Sequence, residues 1–127
     1  MTTVLIIEDT ASMREEIAQI LEFEGYQSLS AADGNEGVQL ARAHHPDMIV
    51  CDVMMPQLNG FETVQMIRQD EVLRATPFIF VTALLDAETR QAAQELGVRA
   101  YLTKPFASDE LLAAIVTALP EQLQQHE

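Results

Sequence analysis

Five short apolar runs divide the chain, and a stretch with helical periodicity follows each of them. The clearest run, 48–52, shows no polar alternation and ends on a carboxylate, Asp52. An unbroken apolar run of this length is typical of a strand covered on both faces, as in a parallel sheet. Similar runs lie at 4–7, 26–31, 78–82 and 98–103, of which the run at 26–31 is the weakest. The pattern therefore predicts five strands.

The segments between these runs place apolar side chains at the 3.6-residue spacing of amphipathic helices. Short polar residues precede four of these repeats and are predicted helix caps: Ser12, Asp33, Asp86 and Ser108. The pair Asn59-Gly60 is predicted to form a turn before the third helix, and Gly25 to end the first. The fourth helix, 86–96, offers few and small apolar residues, so we expect it to pack loosely.

Strands that alternate with helices over short connections form parallel sheets with right-handed crossovers and helices on both faces. The sequence therefore predicts an α/β fold in three layers. Its 127 residues suffice for one domain, which we expect to span 1–120. The polar segment 121–127 is expected to be a tail or the start of a linker.

Composition excludes several classes of function. The formal charge of −13 disfavours direct binding to nucleic acid or to an anionic membrane, because phosphate contacts need clustered Lys and Arg. The single cysteine, Cys51, cannot form an internal disulfide, which favours a reducing compartment. No apolar stretch is long enough to span a membrane, and a strand that begins at Val4 leaves no room for a signal peptide. We therefore expect a cytoplasmic protein.

The strands of a parallel sheet all end at one edge, where open α/β sheets bind their ligands. The polar residues at or after the ends of four predicted strands are Glu8, Asp9, Asp52, Thr82 and Lys104. Each alone has a simpler explanation, since a strand-end Asp is often a cap and a single Thr or Lys often lies at the surface. Together they favour a functional site at this edge of the sheet. Two carboxylates about 5 Å apart repel by roughly 3 kcal/mol, so three of them need a cation, and oxygen ligands suit Mg²⁺.

This set of side chains fits phosphoryl transfer. A carboxylate such as Asp52 can attack phosphorus, as in aspartyl-phosphate chemistry. The transferred group then needs its charge neutralised by a metal on Asp9, by the ammonium of Lys104 and by a hydroxyl, which Thr82 offers. The bond between Lys104 and Pro105 can be cis or trans, and the sequence leaves the isomer open.

Four blocks of the sequence, in this order, resemble the receiver domain of bacterial two-component response regulators: Glu8-Asp9, 52–56 with Gly60, Thr82-Ala83, and 101–106. The resemblance covers 3–119 and implies a flavodoxin-like (βα)5 sandwich with strand order 2-1-3-4-5. It also implies that Asp52 accepts a phosphoryl group from the phosphohistidine of a sensor histidine kinase or a phosphotransfer protein. Such a domain is a regulator rather than an enzyme.

The metal site of the family can be carried over residue by residue. The resemblance implies that Mg²⁺, or Mn²⁺ in its place, is ligated by Asp9, Asp52 and the backbone carbonyl of Met54. Glu8 would act through a bound water, and Lys104 would contact the phosphoryl group.

The resemblance also implies a switch. Thr82 would move to bond the phosphoryl oxygens, and Tyr101, whose simpler explanation is ordinary strand packing, would turn inward with it. The output face would be the fourth helix, the fifth strand and the fifth helix, read by an attached output domain or an effector protein. No acidic pair precedes Tyr101 and no basic residue lies in 108–119. We therefore expect a monomer or a weak phosphorylation-dependent dimer rather than an ion-paired one.

Met54 and Leu84 lie two positions after Asp52 and Thr82, and neither apolar side chain can orient an attacking water. We therefore expect a long-lived phosphorylated form, because hydrolysis needs a positioned nucleophile.

Three other functions fit the sequence less well. A phosphatase of the haloacid-dehalogenase type would need a second Asp where Met54 stands. A flavin-binding module would need a glycine-containing phosphate loop after the first strand, and 10–13 has no glycine. A degenerate receiver that binds partners without phosphorylation would not need the complete set of site residues.

Overall fold

The computed structural model describes residues 1–83 and 86–120 and contains the five predicted strands and five predicted helices. The strands are β1 (Thr3–Ile7), β2 (Gln27–Ala31), β3 (Met48–Asp52), β4 (Phe78–Thr82) and β5 (Ala100–Thr103). The helices are α1 (Ala11–Phe23), α2 (Gly34–His44), α3 (Gly60–Gln69), α4 (Ala87–Glu95) and α5 (Ser108–Ala118). All neighbouring strands pair in parallel in the order β2-β1-β3-β4-β5, which confirms the flavodoxin-like order. In this part of the chain no helix has the length and apolarity that a membrane span requires.

Each face of the sheet has its own apolar core, because successive side chains of a strand point to opposite faces. On β4, Phe78 and Phe80 join the core under α2, α3 and α4, whereas Ile79 and Val81 join the core under α1 and α5. β3 and β4 lie inside the sheet and are buried over their whole length, as their unbroken apolar runs predicted. The three-layer sandwich is confirmed, and it fixes where β1, β3 and β4 end.

Two of the four predicted helix caps are confirmed. The Asp33 carboxylate accepts a hydrogen bond from the backbone N–H of Glu36 at 2.8 Å. The Asp86 carboxylate accepts one from the backbone N–H of Thr89, also at 2.8 Å. Each bond satisfies one of the backbone donors that a helix leaves free in its first turn.

The caps predicted at Ser12 and Ser108 are wrong, because both helices begin earlier than the local pattern indicated. α1 begins directly after Thr10, whose backbone N–H donates to the Glu8 carboxylate at 3.1 Å and so fixes the chain at that point. α5 includes Ser108 and follows Ala107, whose backbone N–H donates to a carboxylate of the first turn at 2.7 Å. In both places an acidic side chain accepts the backbone N–H of the residue just before the helix and so fixes where the helix starts.

Asn59 and Gly60 do not form the predicted turn; they begin α3. The Asn59 side-chain oxygen accepts the backbone N–H of Glu62 at 2.9 Å, and the Glu62 carboxylate accepts the backbone N–H of Asn59 at 2.9 Å. This reciprocal capping box makes Asn59 the N-cap and Gly60 the first helical residue. The Asn-Gly pair alone is typical of a turn, but the capping box with Glu62 starts a helix at Gly60.

α4 has the thin apolar face that the sequence predicted, since Ala93 is its one buried residue. α2, by comparison, buries four residues. Movement of α4 stays a prediction. Leu84 and the segment 121–127, which the expectations above also involve, lie outside the described residues.

Candidate functional site

Three carboxylates meet at the edge of the sheet where the strands end. Asp52 is the last residue of β3, and Glu8 and Asp9 directly follow β1. Each of the three offers a carboxylate oxygen, and these oxygens lie within 4.8 Å of one another. Glu8 and Asp52 are buried, with 1% and 5% of their surface exposed, whereas Asp9 is exposed. The sequence-based grouping of these residues is therefore confirmed by their positions.

Both oxygens of the Asp52 carboxylate have a partner. Oδ1 accepts the backbone N–H of Met54 at 3.1 Å, and Oδ2 lies 3.1 Å from the Lys104 ammonium. The first contact belongs to the loop that follows β3, and the second comes from the residue that follows β5. Asp52 is thus held in one orientation by two different parts of the fold.

Lys104 joins the two buried carboxylates. Its Nζ lies 2.8 Å from Glu8 Oε1 and 3.1 Å from Asp52 Oδ2, and its backbone N–H donates to the Thr82 carbonyl at 2.8 Å. Its bond to Pro105 is cis. Burial lowers the pKa of Lys104, but the hydrogen bonds and charges of Glu8 and Asp52 outweigh that effect, so its pKa is raised from its ordinary value. The ammonium is therefore charged at neutral pH.

Two residues that the sequence did not single out hold the loop after β1. The backbone N–H of Thr10 donates to Glu8 Oε2 at 3.1 Å. The Arg14 guanidinium donates to the Glu8 backbone carbonyl at 2.8 Å. Arg14 is the one basic residue in the sequence of α1, and that signal could have identified it. These contacts hold Glu8 in addition to its bond with Lys104.

The two predicted switch residues lie at different depths. Thr82 ends β4 with its side chain fully buried, and its neighbour on β5 is Thr103. Tyr101 pairs with Phe80, and its half-buried ring packs against the core under α2, α3 and α4. Thr82 therefore lies at the same edge as Lys104, whereas Tyr101 lies two residues before the end of β5, outside the group formed by the carboxylates and Lys104. Their switch roles stay predictions.

Burial keeps the thiol of Cys51, the residue before Asp52, in its neutral form. Desolvation raises the pKa of Cys51 well above its ordinary value, and the charges of Asp52 and Glu8 raise it further. The thiol therefore adds no negative charge beside the carboxylates.

The donors at this edge fit a hard divalent cation. Three carboxylates and one ammonium leave an excess of negative formal charge, and carboxylate oxygens are the ligands that Mg²⁺ prefers. The exposed position of Asp9 leaves this member of the group open to water. The chemistry of the donor set therefore supports a Mg²⁺ site.

The protein-family model described as response regulator receiver domain matches residues 4–116. The chain belongs to this family. "Probable transcriptional regulator ycf27" of Porphyridium aerugineum is 39% identical over 116 residues, which cover 91% of this receiver and 47% of that protein. "Transcriptional regulatory protein PdtaR" of Mycobacterium tuberculosis is 38% identical over 117 residues, which cover 91% and 56%. The receiver thus spans about half the length of these curated relatives.

Solved structures of similar receivers share the fold. The chemotaxis protein CheY4 of Vibrio cholerae superposes with a TM-score of 0.91 at 33% sequence identity, covering 94% of this receiver and 99% of that chain. A CheY-like receiver domain protein of Methanospirillum hungatei superposes with a TM-score of 0.89 at 27% identity, covering 98% of both chains. The family model and the structural comparison therefore both identify a receiver domain.

Proposed function

We propose that this receiver is a phosphorylation switch in which Asp52 accepts a phosphoryl group from a phosphohistidine. The observation that carries the proposal is the setting of Asp52. It is a buried strand-end carboxylate whose two oxygens are held by the Met54 amide and the Lys104 ammonium. A rigidly oriented carboxylate beside a fixed positive charge is what an in-line attack on phosphorus requires.

In the transfer, one Asp52 oxygen forms a bond to phosphorus while the P–N bond of the donor breaks. The electron pair of the broken bond stays on the imidazole nitrogen of the donor histidine. Lys104, already 3.1 Å from Asp52, neutralises charge on the phosphoryl oxygens as the group arrives. Glu8 also binds the Lys104 ammonium, at 2.8 Å, and so keeps it close to the acceptor.

Asp9, Asp52 and the Met54 backbone carbonyl would hold Mg²⁺, or Mn²⁺ in its place, with Glu8 acting through a water. When bound, the cation supplies charge neutralisation for the phosphoryl oxygens. The grouping of Glu8, Asp9 and Asp52 within 4.8 Å supports this assignment.

The switch would operate through Thr82 and Tyr101, which move when the phosphoryl group is present. The output face would comprise α4, β5 and α5, and two observations support it. β5 is an edge strand of the sheet that the described residues form, and α4 buries only Ala93 among Ala87–Glu95. A helix that buries so little can change position at small cost, so a modification at the site can shift its population between two arrangements.

The partners follow from these roles. The donor would be a sensor histidine kinase or a phosphotransfer protein, and the reader an output domain or effector protein. The formal charge of −13 disfavours direct contact with nucleic acid or an anionic membrane. We place the domain at 1–120, with 121–127 a tail or linker, in a cytoplasmic regulator that is a monomer or a weak phosphorylation-dependent dimer.

The proposal is tested by loading the purified protein with acetyl phosphate and Mg²⁺ and measuring its intact mass. The wild-type protein should gain one phosphoryl group, and Asp52→Asn should gain none. Asp70→Asn is the matched control, because it makes the same exchange at the C-terminal end of α3, away from the site. It should be labelled like the wild type.

Each other outcome has a meaning. Normal labelling of Asp52→Asn would show that the acceptor lies elsewhere. No labelling of the wild type would favour a degenerate receiver that acts without phosphorylation. Steady release of phosphate from small phosphate esters would favour a phosphatase of the haloacid-dehalogenase type, for which Met54 takes the place of the expected second Asp.

A further inference from the structure

Gly60, the first residue of α3, lies against the backbone at the end of β3. Its N–H donates to the Val53 carbonyl at 3.0 Å. A Cβ added at Gly60 would lie 2.7 Å from the Asp52 carbonyl oxygen and 2.8 Å from the Val53 Cα. Cβ atoms do not approach other heavy atoms this closely, so the helix can touch the strand end only because this residue has no side chain.

The requirement for glycine here is one of space and not of backbone conformation. Gly25 and Gly97 adopt positive φ angles of 92° and 75°, but Gly60 does not. An alanine could therefore adopt the backbone angles of Gly60. At Gly37 the atoms nearest to an added Cβ belong to the side chain of Ile7. At Gly60 they are main-chain atoms, so room could be made only by a shift of the backbone that carries the acceptor.

The crowded segment is also the one that orients the acceptor carboxylate. Val53 follows Asp52, and the next residue, Met54, donates its N–H to Asp52 Oδ1 at 3.1 Å. If the start of α3 moved away from the strand end, its hydrogen bond would pull on the Val53 carbonyl. The Met54 N–H, which belongs to the same peptide group as the Val53 carbonyl, would then shift relative to the Asp52 carboxylate.

We propose that Gly60 is a positioning residue of the acceptor site. By letting α3 rest on the backbone of Asp52 and Val53, it sets the position of the peptide that joins Val53 to Met54. The N–H of that peptide orients the Asp52 carboxylate, and the next peptide carries the Met54 carbonyl proposed as a metal ligand. The consequence for phosphorylation rests on the proposed function, but the geometry can be measured in the unphosphorylated protein.

The test compares Gly60→Ala with Val64→Ala. Val64 is fully buried one turn further along the same helix. Its truncation lowers stability by leaving a cavity in the core, without adding an atom beside Asp52.

Two quantities are measured on variants that circular dichroism shows to be folded. They are the hydrogen exchange rate of the Met54 amide without metal and the Mg²⁺ dissociation constant from an NMR titration. In Gly60→Ala, Met54 exchange should accelerate and Mg²⁺ binding should weaken, each about tenfold or more. In Val64→Ala both should stay within about twofold of the wild type.

Equal changes in the two variants would mean that Gly60 acts through stability alone, and the proposal would be wrong. Unchanged Met54 exchange in folded Gly60→Ala would overturn it as well. Should Gly60→Ala not fold, Asn59→Ala takes its place, since it removes the cap of α3 without adding a Cβ at residue 60. Met54 exchange no faster than in Val64→Ala would then refute the proposal. Failure of the wild type to accept a phosphoryl group would count against Asp52 as acceptor and leave the exchange result intact.

Discussion

Lys104 is the only lysine of the chain, and at the site it serves two buried carboxylates at once. Removing one member of a buried group of charges usually costs more than the group contributes as a whole, because the remaining charges lose their partner. The group therefore depends on Glu8 as well as on Asp52. Glu8 keeps the ammonium at the strand ends, so under the proposed function Lys104 need not be recruited when a phosphoryl group arrives.

The Met54 side chain is expected to affect how long the phosphoryl group stays on Asp52. Its backbone N–H holds Asp52, but its side chain is 61% exposed beside the carboxylate and cannot activate water. Met54→Asn should therefore shorten the lifetime of the phosphorylated form, since a carboxamide can hydrogen-bond an attacking water. We expect at least about a threefold faster loss of the phosphoryl group, because positioning of the nucleophile is the missing factor.

The measurement is decay of the phosphorylated protein after removal of acetyl phosphate, followed by intact mass. Val72→Asn is the matched control, because Val72 is similarly exposed, at 70%, but lies in the loop after α3. Its decay should equal that of the wild type. A wild-type half-life of seconds, or equal decay in Met54→Asn and the wild type, would contradict the prediction.

At the scale of elements, the sequence predicted what depends on local patterns and missed what depends on contacts. Unbroken apolar runs identified the strands, and the parallel order then brought Asp52 and Lys104 to one edge. The start of α1 could not be predicted, because it depends on Glu8 accepting the N–H of Thr10. Neither could the role of Gly60, since its approach to the backbone of β3 is visible only in three dimensions.

α4 is attached unequally at its two ends. At its C-terminal end the Arg68 guanidinium donates to the carbonyls of Leu96 at 2.9 Å and Gly97 at 3.3 Å. Burial lowers the pKa of Arg68, and the charge of Arg99 lowers it further. At its N-terminal end the Asp86 cap is a bond within the helix's own first turn, to the N–H of Thr89. We therefore expect α4 to open from its first turn.

Asp86→Ala should loosen α4 without unfolding the domain. Asp33→Ala is the matched control, because Asp33 caps α2 through a bond of the same length, 2.8 Å. α2 packs through four buried residues and should stay formed, with a global loss of about 1 kcal/mol. The helical Cα chemical shifts of 87–95 should fall in Asp86→Ala, and those of 34–44 should persist in Asp33→Ala. If both helices persist equally, the Asp86 cap is not what keeps α4 formed.

The same cap makes α4 sensitive to acid. The backbone N–H of Thr89 is the main cause of a pKa of Asp86 below its ordinary value of 3.8. A lowered pKa in the folded state means that the carboxylate stabilises the helix above pH 3.8. That contribution is lost as the pH falls through the lower value. The Cα shifts of α4 should therefore decline at acidic pH in the wild type and show a weaker pH dependence in Asp86→Ala.

The whole molecule carries a formal charge of −13, and several of its few basic groups are already engaged by the fold. The acidic groups repel one another more in the compact state than in the expanded unfolded chain, so salt should stabilise the domain. In urea unfolding with EDTA present, raising NaCl from about 0.02 to about 0.3 M should add roughly 1 kcal/mol to the free energy of unfolding. Tetramethylammonium chloride should stabilise the domain equally, because screening depends on ionic strength.

A variant with Glu16→Lys and Glu95→Lys, both at exposed positions, should gain less stability from salt. A gain as large as that of the wild type would show that specific ion binding, and not self-repulsion, sets the salt dependence.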